Sequence, residues 1–330
     1  MPTSLVTGGA GFIGAHVVNE LVEMGHRVIV LDDLSGGFQE NVNPKAEFIK
    51  GSVYDHVIVD QIFEQHTFDY VYHLAAYAAE GLSHFIRRYN YNNNLIGSIN
   101  LINASVRSKV KCFVFTSSIA VYGSIPPPMQ EEMTPMPEDP YGIAKYAVEL
   151  DLKSAHEIFG LNYIIFRPHN VYGEFQNLGD KYRNVVGIFM NQLMKGNELS
   201  IFGDGMQTRA FSYIGDVAPH IAHSVNNTEA YNQVFNIGAE KQLTVNELAT
   251  TVQAAMGISG KIRYLEARNE VMHAYADHSK VHRIFHITST TPLEEGIRKM
   301  ALWAGKTGIK SSQRFKDVEV MEKLPPFWLE

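Results

Sequence analysis

Thr7-Gly-Gly-Ala-Gly-Phe-Ile-Gly14 joins the first apolar run of this chain, Ser4-Leu-Val-Thr7, to its first helical pattern. Helical periodicity starts at Phe12, with Ile13, Val17, Leu21 and Met24 on one side and Gly25 as the stop. Gly8, Gly11 and Gly14 lie three apart, and Gly9, Gly11 and Gly14 fit the tighter G-x-G-x-x-G spacing. Such glycines between strand and helix permit a sharp turn, close approach of backbone to a pyrophosphate, and tight helix-on-strand packing. The helix N-terminus behind them offers N–H groups and a favourable dipole to phosphate oxygens. Arg27-Val-Ile-Val-Leu31 forms the next strand and ends at Asp32, eighteen residues beyond Gly14. A carboxylate there can accept from a ribose 2′-OH and would repel a 2′-phosphate, so NAD is expected rather than NADP. A glycine turn alone can serve packing; with strand, helix and acid in order it reads as a dinucleotide cradle.

Outward from that unit, strands are expected at Phe48-Ile-Lys50, Tyr70–Ala75, Cys112–Thr116 and Asn162–Phe166. Helices are expected from about Asn92 to Val106 and from the region of Tyr141 to Gly160. Strands that alternate with helices and are apolar on both faces predict an α/β fold, a Rossmann-type doubly wound parallel sheet. After Pro168 the segments shorten, with a helix expected at Val185–Lys195 and strands at Leu199–Phe202, Val234–Gly238 and Ile262–Leu265. Thr244 and Glu247 form a capping box for a helix that reaches Met256, with Gly257 as its C-cap. The expected division is a dinucleotide-binding domain at 1–168, with later segments returning to it, and a smaller α/β C-terminal substrate lobe at 169–310. A peripheral tail is expected at 311–330.

The 330 residues are 45% hydrophobic and 19% charged, enough apolar material for a large core. Net charge is -7 with no Lys/Arg block, which argues against nucleic acid and anionic membranes as partners. No apolar run approaches the ~20 residues of a membrane span. The single cysteine, Cys112, sits inside an apolar strand, so no intrachain disulfide forms, and a cytoplasmic location is expected. His278, His282 and His286 recur every four residues and His220 and His223 lie three apart. Basic neighbours favour a solvated face, and no metal is expected.

Tyr141 and Lys145 stand four apart in Asp139-Pro-Tyr-Gly-Ile-Ala-Lys-Tyr-Ala-Val-Glu-Leu. Helical spacing stacks them on one face. A phenol titrates near ~10, and a neighbouring ammonium lowers that value. The pair can act as a general base beside a nicotinamide.

Thr7-Gly-x-x-Gly-x-x-Gly14 with Tyr141-x-x-x-Lys145 resembles the extended short-chain dehydrogenase/reductases. Phe115-Thr-Ser-Ser-Ile-Ala-Val-Tyr-Gly123 and Arg167-Pro-His-Asn-Val-Tyr-Gly173 are similar to segments of the NAD-dependent nucleotide-sugar epimerases and dehydratases. The likeness spans about residues 3 to 305. It implies Ser118, Tyr141 and Lys145 as catalytic residues. It implies a cofactor wall of Gly8, Gly11, Phe12, Ile13, Gly14, Asp32, Asp33, Ser52, Val53, Leu74, Ala75, Ala76 and Asn94, with Tyr141 and Lys145. It implies a UDP-sugar substrate held by Ser118, Tyr141, Asn170, Asn184, Ser200, Phe202, Arg209 and Arg268, and a homodimer paired through helices near 92–106 and 141–159. Guanidiniums suit such a substrate because their planar forks bond phosphate oxygens in pairs.

Departures matter too. Ser52 stands where many relatives have an acid that bonds adenine, and Ala78 where some carry a lysine near the phosphates. Two registers put either Ala274 or Tyr275 at the position that limits an N-acetyl group on the sugar. Ile119-Ala120 replaces the acidic residues of the related dehydratases and decarboxylases, and apolar side chains cannot do acid–base work. The run Glu174-Phe-Gln-Asn-Leu-Gly-Asp180 lacks the arginine with which uronate epimerases hold a carboxylate. The resemblance thus implies epimerisation of a UDP-glucose or UDP-galactose type sugar at C4. A net NAD(P)-dependent oxidoreductase is the alternative, and a non-catalytic dinucleotide sensor a more distant one.

Overall fold

A computed structural model describes residues 1–267, 270–311 and 315–328 of the chain. Strand β1 is Thr3–Thr7, β2 Arg27–Asp32, β3 Glu47–Lys50, β4 Tyr70–His73, β5 Cys112–Thr116 and β6 Tyr163–Pro168. The shorter strands are β7 Val171–Tyr172, β8 Leu199–Phe202, β9 Thr208–Ala210 and β10 Ser212–Tyr213, then β11 Gln233–Ile237, β12 Gln242–Thr244, β13 Ile262–Leu265 and β14 His273–Ala274. Helix α1 is Phe12–Glu23, α2 His56–Gln65, α3 Glu80–Ser83, α4 Arg87–Tyr91, α5 Gly97–Arg107 and α6 Pro140–Phe159. They are followed by α7 Val185–Met194, α8 Ala218–His223, α9 Val245–Met256, α10 Ser279–Phe285 and α11 Leu293–Thr307.

Seven parallel strands form the main sheet in the order β11-β6-β5-β4-β1-β2-β3. Alternation along the strands sorts the core. Val6, Val28, Val30, Val114 and Phe166 face the layer of α1, α8 and α10. Leu5, Ile29, Leu31, Phe113 and Phe115 face α2, α5 and α6. Strand order reverses between β1 and β4, and a crevice opens there beyond the strand C-termini. A third core of Phe189, Met190, Leu199, Ile201, Leu248, Val252, Ile297 and Met300 packs α7, α9 and α11 together. Around it lie three small sheets: β12-β9-β14, β13-β8 and β10-β7. No helix among the described residues is long and apolar enough to cross a membrane.

Most expected elements form, some with different bounds. β4 stops at His73, because the next residues leave the sheet to line the crevice. The helix expected from Asn92 begins at Arg87 and passes through one π turn, Asn92–Ile96, before α5. Helix α2 has no counterpart in the sequence reading. It starts at Asp55, whose Oδ1 accepts from Val57 N at 3.0 Å, and it buries only Val59 and Ile62. Two apolar anchors are a weak periodic signal. The Thr244/Glu247 capping box and the Gly257 C-cap form as read.

In the segment expected to be a peripheral tail most residues are exposed, while Trp328 and Leu324, 3% and 7% exposed, anchor it beside Leu82 and Ile86. Glu319 accepts from Arg88 N at 2.9 Å and Tyr89 N at 3.0 Å, tying that segment to the start of α4. Apolar residues close together near the chain end supply the anchor. His278, expected on a solvated face, is 1% exposed and meets His169, Nε2 to Nε2, at 2.9 Å. The Ala210 carbonyl, 3.1 Å from His169 Nδ1, fixes the tautomer. His169 therefore accepts at Nε2 from the His278 Nε2–H, and His278 Nδ1 has no partner among the described residues.

Burial holds both rings neutral, below their ordinary 6.5. A group with a depressed folded pKa that is protonated only in the unfolded chain removes stability as pH falls through 6.5. Each ring contributes up to about 1.4 kcal/mol per pH unit to that slope. Urea unfolding between about pH 4.5 and 6.5 should give a slope that His278→Gln flattens, because glutamine keeps a donor for His169 and does not titrate. An equal slope in wild type and variant would show that the pair is not the source.

Candidate active site

A cavity of about 950 Å³ lies beyond the C-terminal ends of β1, β4, β5 and β6. Its floor is the glycine turn. Gly8 has φ +74°, and a Cβ on it would lie 2.7 Å from Ala75 N. A Cβ on Gly14 would lie 2.0 Å from Gly8 O. These positions admit only glycine, so backbone N–H groups at the start of α1 stay open to a ligand. Asp32 closes β2; its carboxylate accepts from Leu34 N at 2.8 Å and Ala10 N at 3.0 Å. Burial raises its pKa, and the Leu34 and Ala10 N–H groups oppose the rise. Gly8, Gly11, Phe12, Ile13, Gly14, Asp32, Asp33, Ser52, Val53, Leu74, Ala75 and Ala76 all line this cavity.

Asn94 does not line it. The side chain is fully buried in the π turn, donates to Tyr77 O at 3.1 Å and accepts from Tyr77 N at 2.8 Å. A second donation goes to Asn90 Oδ1 at 2.7 Å. Its amide shapes the loop after Ala76, so it meets the expected cofactor wall through the backbone of Tyr77.

Helix α6 starts beside the cavity because Asp139 caps it, accepting from Gly142 N at 2.9 Å, with Pro140 in the first turn. Tyr141 therefore sits at the helix mouth and Lys145 one turn deeper. Ser118 follows β5 and caps the short turn Ile119–Tyr122, accepting from Ala120 N at 3.1 Å. Its hydroxyl lines the cavity with Tyr141 and works to lower the pKa of the phenol. Lys145 is 2% exposed and donates to Thr116 O at 2.8 Å; its Nζ lies 5.8 Å from the Tyr141 ring centroid. The Thr116 hydroxyl, also in the cavity wall, has no partner among the described residues.

The charge state differs from the sequence expectation. In the protein alone Tyr141 is raised above its ordinary 10.0 by burial; the Ser118 hydroxyl and the Arg183 charge pull the other way. Lys145 is brought down to about 7 by burial, against the opposing charge of Glu149. Desolvation outweighs the expected ammonium effect because the ammonium itself is out of water and points at a carbonyl.

Behind these residues stands a buried ion pair. Arg167, 2% exposed, donates from Nε to Glu149 Oε1 at 2.9 Å and from Nη2 to Oε2 at 2.5 Å. Its Nη1 donates to Tyr122 Oη at 2.7 Å, and Ser117 Oγ donates to Glu149 at 2.5 Å. Glu149 is one turn past Lys145 on α6, and the sequence reading assigned it no role.

On the opposite wall, Asn170, Asn184, Ser200, Phe202 and Arg209 line the same cavity. Asn184 has φ +64° and immediately precedes α7. Arg209 donates to Val271 O at 2.6 Å and Met272 O at 3.0 Å, and pairs with Glu270 at 3.5 Å. Arg268 lies outside the described residues. Ala274 lines the cavity and Tyr275 does not. Arg183, three residues past the run in which no arginine was found, also lines it. Spacing alone gave no sign of this, because the loop that carries it has no periodicity. Among the described residues no group of three His, Cys, Asp or Glu is placed to hold a metal.

The model of the NAD dependent epimerase/dehydratase family matches residues 4–238. A UDP-glucose 4-epimerase from Thermotoga maritima, solved with UDP-glucose, is 36% identical with a TM-score of 0.88, covering 92% of this chain and 99% of that one. A UDP-N-acetylglucosamine 4-epimerase from Methanobrevibacter ruminantium, in complex with UDP-N-acetylmuramic acid, is 33% identical with a TM-score of 0.85, covering 92% and 97%. A UDP-glucuronic acid 4-epimerase from Bacillus cereus, bound to UDP-glucuronic acid and NAD, is 26% identical with a TM-score of 0.85, covering 92% and 99%. The chain belongs to the NAD dependent epimerase/dehydratase family, and its cofactor is NAD.

Removing one member of a buried ion pair strands the other charge, at a cost of about 3–5 kcal/mol. Urea denaturation of Glu149→Gln and of Arg167→Met should each register a loss of that order. The double variant should recover much of it, since neither charge is then stranded. Additive losses in the double variant would contradict the pairing.

Proposed function

We propose that this protein is an NAD-dependent 4-epimerase of UDP-sugars, of the UDP-glucose/UDP-galactose type. The observation that carries the reading is the convergence of Ser118, Tyr141 and Lys145 on the cavity that also holds the glycine turn. Gly8, Gly11 and Gly14 cradle the pyrophosphate of the dinucleotide, and Asp32 takes its ribose. NAD, when bound, accepts a hydride from the sugar and later returns it, and its oxidised ring brings a positive charge to the cavity.

Tyr141, as phenolate, takes the proton of the sugar 4-OH, directly or through the Ser118 hydroxyl in the same cavity wall. Lys145 supplies positive charge next to that phenol from its seat on the Thr116 carbonyl. The sugar becomes planar at C4, turns about its diphosphate link and presents its other face. Tyr141 then returns the proton, and C4 is inverted. Asn184, Ser200, Phe202 and Arg209 hold the nucleotide end throughout. A tethered diphosphate with few sugar contacts is what such a rotation needs.

Ile119 and Ala120 line the cavity where an eliminating or decarboxylating relative would need an acid, which argues against those reactions. Ala274 rather than Tyr275 on the wall supports acceptance of a sugar with an N-acetyl group at C2. Ile96, Ile143 and Leu150, exposed at 42%, 40% and 48% on the α5 and α6 side, support pairing of two copies through those helices.

Tyr141→Phe should retain fold and UDP binding and lose about a hundredfold to ten-thousandfold in turnover. The measurement is a coupled assay of UDP-glucose, UDP-galactose and their N-acetyl analogues with no NAD added. Near-normal turnover of the variant removes Tyr141 from its role. Turnover that requires stoichiometric NAD(P)H would instead favour a net oxidoreductase.

A further inference from the structure

Arg183 belongs to the loop that leads into α7, on the nucleotide-sugar side of the cavity, yet its guanidinium contacts the cofactor side. Nε is held by Asp180 Oδ2 at 2.5 Å, and the guanidinium carbon lies 4.6 Å from the centre of the Tyr77 ring. A Cβ on Gly36 would lie 2.9 Å from Nη2, so glycine at 36 leaves room for the fork. Gly36 is part of the loop that folds back on the glycine turn: Phe38 N donates to Ala10 O at 3.0 Å, and a Cβ on Gly37 would meet Ala10 O at 2.3 Å. The fork therefore sits against the loop that covers the pyrophosphate cradle.

A guanidinium carries five N–H donors, and one is used by Asp180. Nη1 and Nη2 have no hydrogen-bond acceptor among the described residues, although the side chain is only 16% exposed and lines the cavity. Donors that line an open cavity without a protein acceptor are available to a ligand. The matching acceptor is a pair of anionic oxygens in one plane. Position 78, next to Tyr77, is alanine, so no lysine there offers the same charge.

We propose that Arg183 binds the diphosphate of NAD, reaching across from the nucleotide-sugar side to latch the dinucleotide over the glycine turn. Asp180 and Tyr77 aim the fork, and Gly36 admits it. The proposal rests on NAD as cofactor and not on which sugar is turned over. Two other anions could be offered to the same fork: the diphosphate of the UDP-sugar, or a carboxylate on the sugar. Contacts with Gly36 and Tyr77 favour the dinucleotide over both.

Titration of the purified full chain, stripped of NAD, with NAD, ADP-ribose, adenosine and UDP separates these. Arg183→Gln should weaken NAD and ADP-ribose by about tenfold to a hundredfold, the range for a lost charge-assisted pair. Adenosine and UDP should bind as before. Arg183→Lys should fall between, keeping charge without the fork, and it carries the test if the glutamine variant does not fold. Less NAD should remain with either variant after gel filtration. Unchanged affinity for NAD overturns the proposal and leaves Arg183 as a structural partner of Asp180. Weakened UDP with normal NAD, or a defect confined to uronate turnover, also overturns it.

Discussion

Two ionisable side chains, Tyr141 and Lys145, are both nearly out of water at the C-terminal end of β5, and the rest of the site is arranged around that fact. Desolvation favours the neutral form of each, raising the phenol and lowering the amine. The protein offsets this with fixed partners rather than with solvent. Thr116 gives Lys145 a carbonyl, Ser118 gives Tyr141 a hydroxyl, and Glu149 sets a negative charge one turn behind the amine. Glu149 is in turn neutralised by Arg167, which reaches it from the adjacent strand β6. Low dielectric makes each of these contacts worth more than it would be in water, and makes each loss more costly.

The same cavity has two unlike walls. One is backbone: glycines, the start of α1 and the Asp32 carboxylate, all placed by the switch in strand order. The other is assembled from α7, β8, β9 and the 270–274 segment, around a separate apolar core. Arg183 and Tyr77 meet between the walls, and Phe315 and Trp328 brace Tyr77, Tyr89 and Tyr182 from outside. A dinucleotide and a nucleotide sugar can thus be gripped by separate surfaces while their reacting atoms face one hydroxyl, one phenol and one amine.

Local rules made much of this legible. The glycine spacing, the strand before it and the acid after it identify the cradle, because pyrophosphate approach depends on backbone within a few residues. Asp139-Pro140 fixes where α6 starts, and helical spacing then fixes Tyr141 over Lys145. The contact of Asn94 with Tyr77 was not legible, because its neighbours in sequence do not reveal the π turn that draws its amide there. His278 was misplaced because its partner, His169, is 109 residues away. Helix α2 escaped notice because two buried side chains give little periodicity.

The sequence by itself determined the alternating sheet, the glycine cradle, the preference for NAD and the Tyr141/Lys145 pair, since each depends on residues within a turn or a strand of one another. Tertiary structure alone decided the charge states, which follow from burial. It alone joined Arg167 to Glu149, brought Arg183 over Gly36 and drew Leu324 and Trp328 against α3 and α4. Those contacts link positions far apart in the chain, and only packing sets which distant groups share a space too small for water.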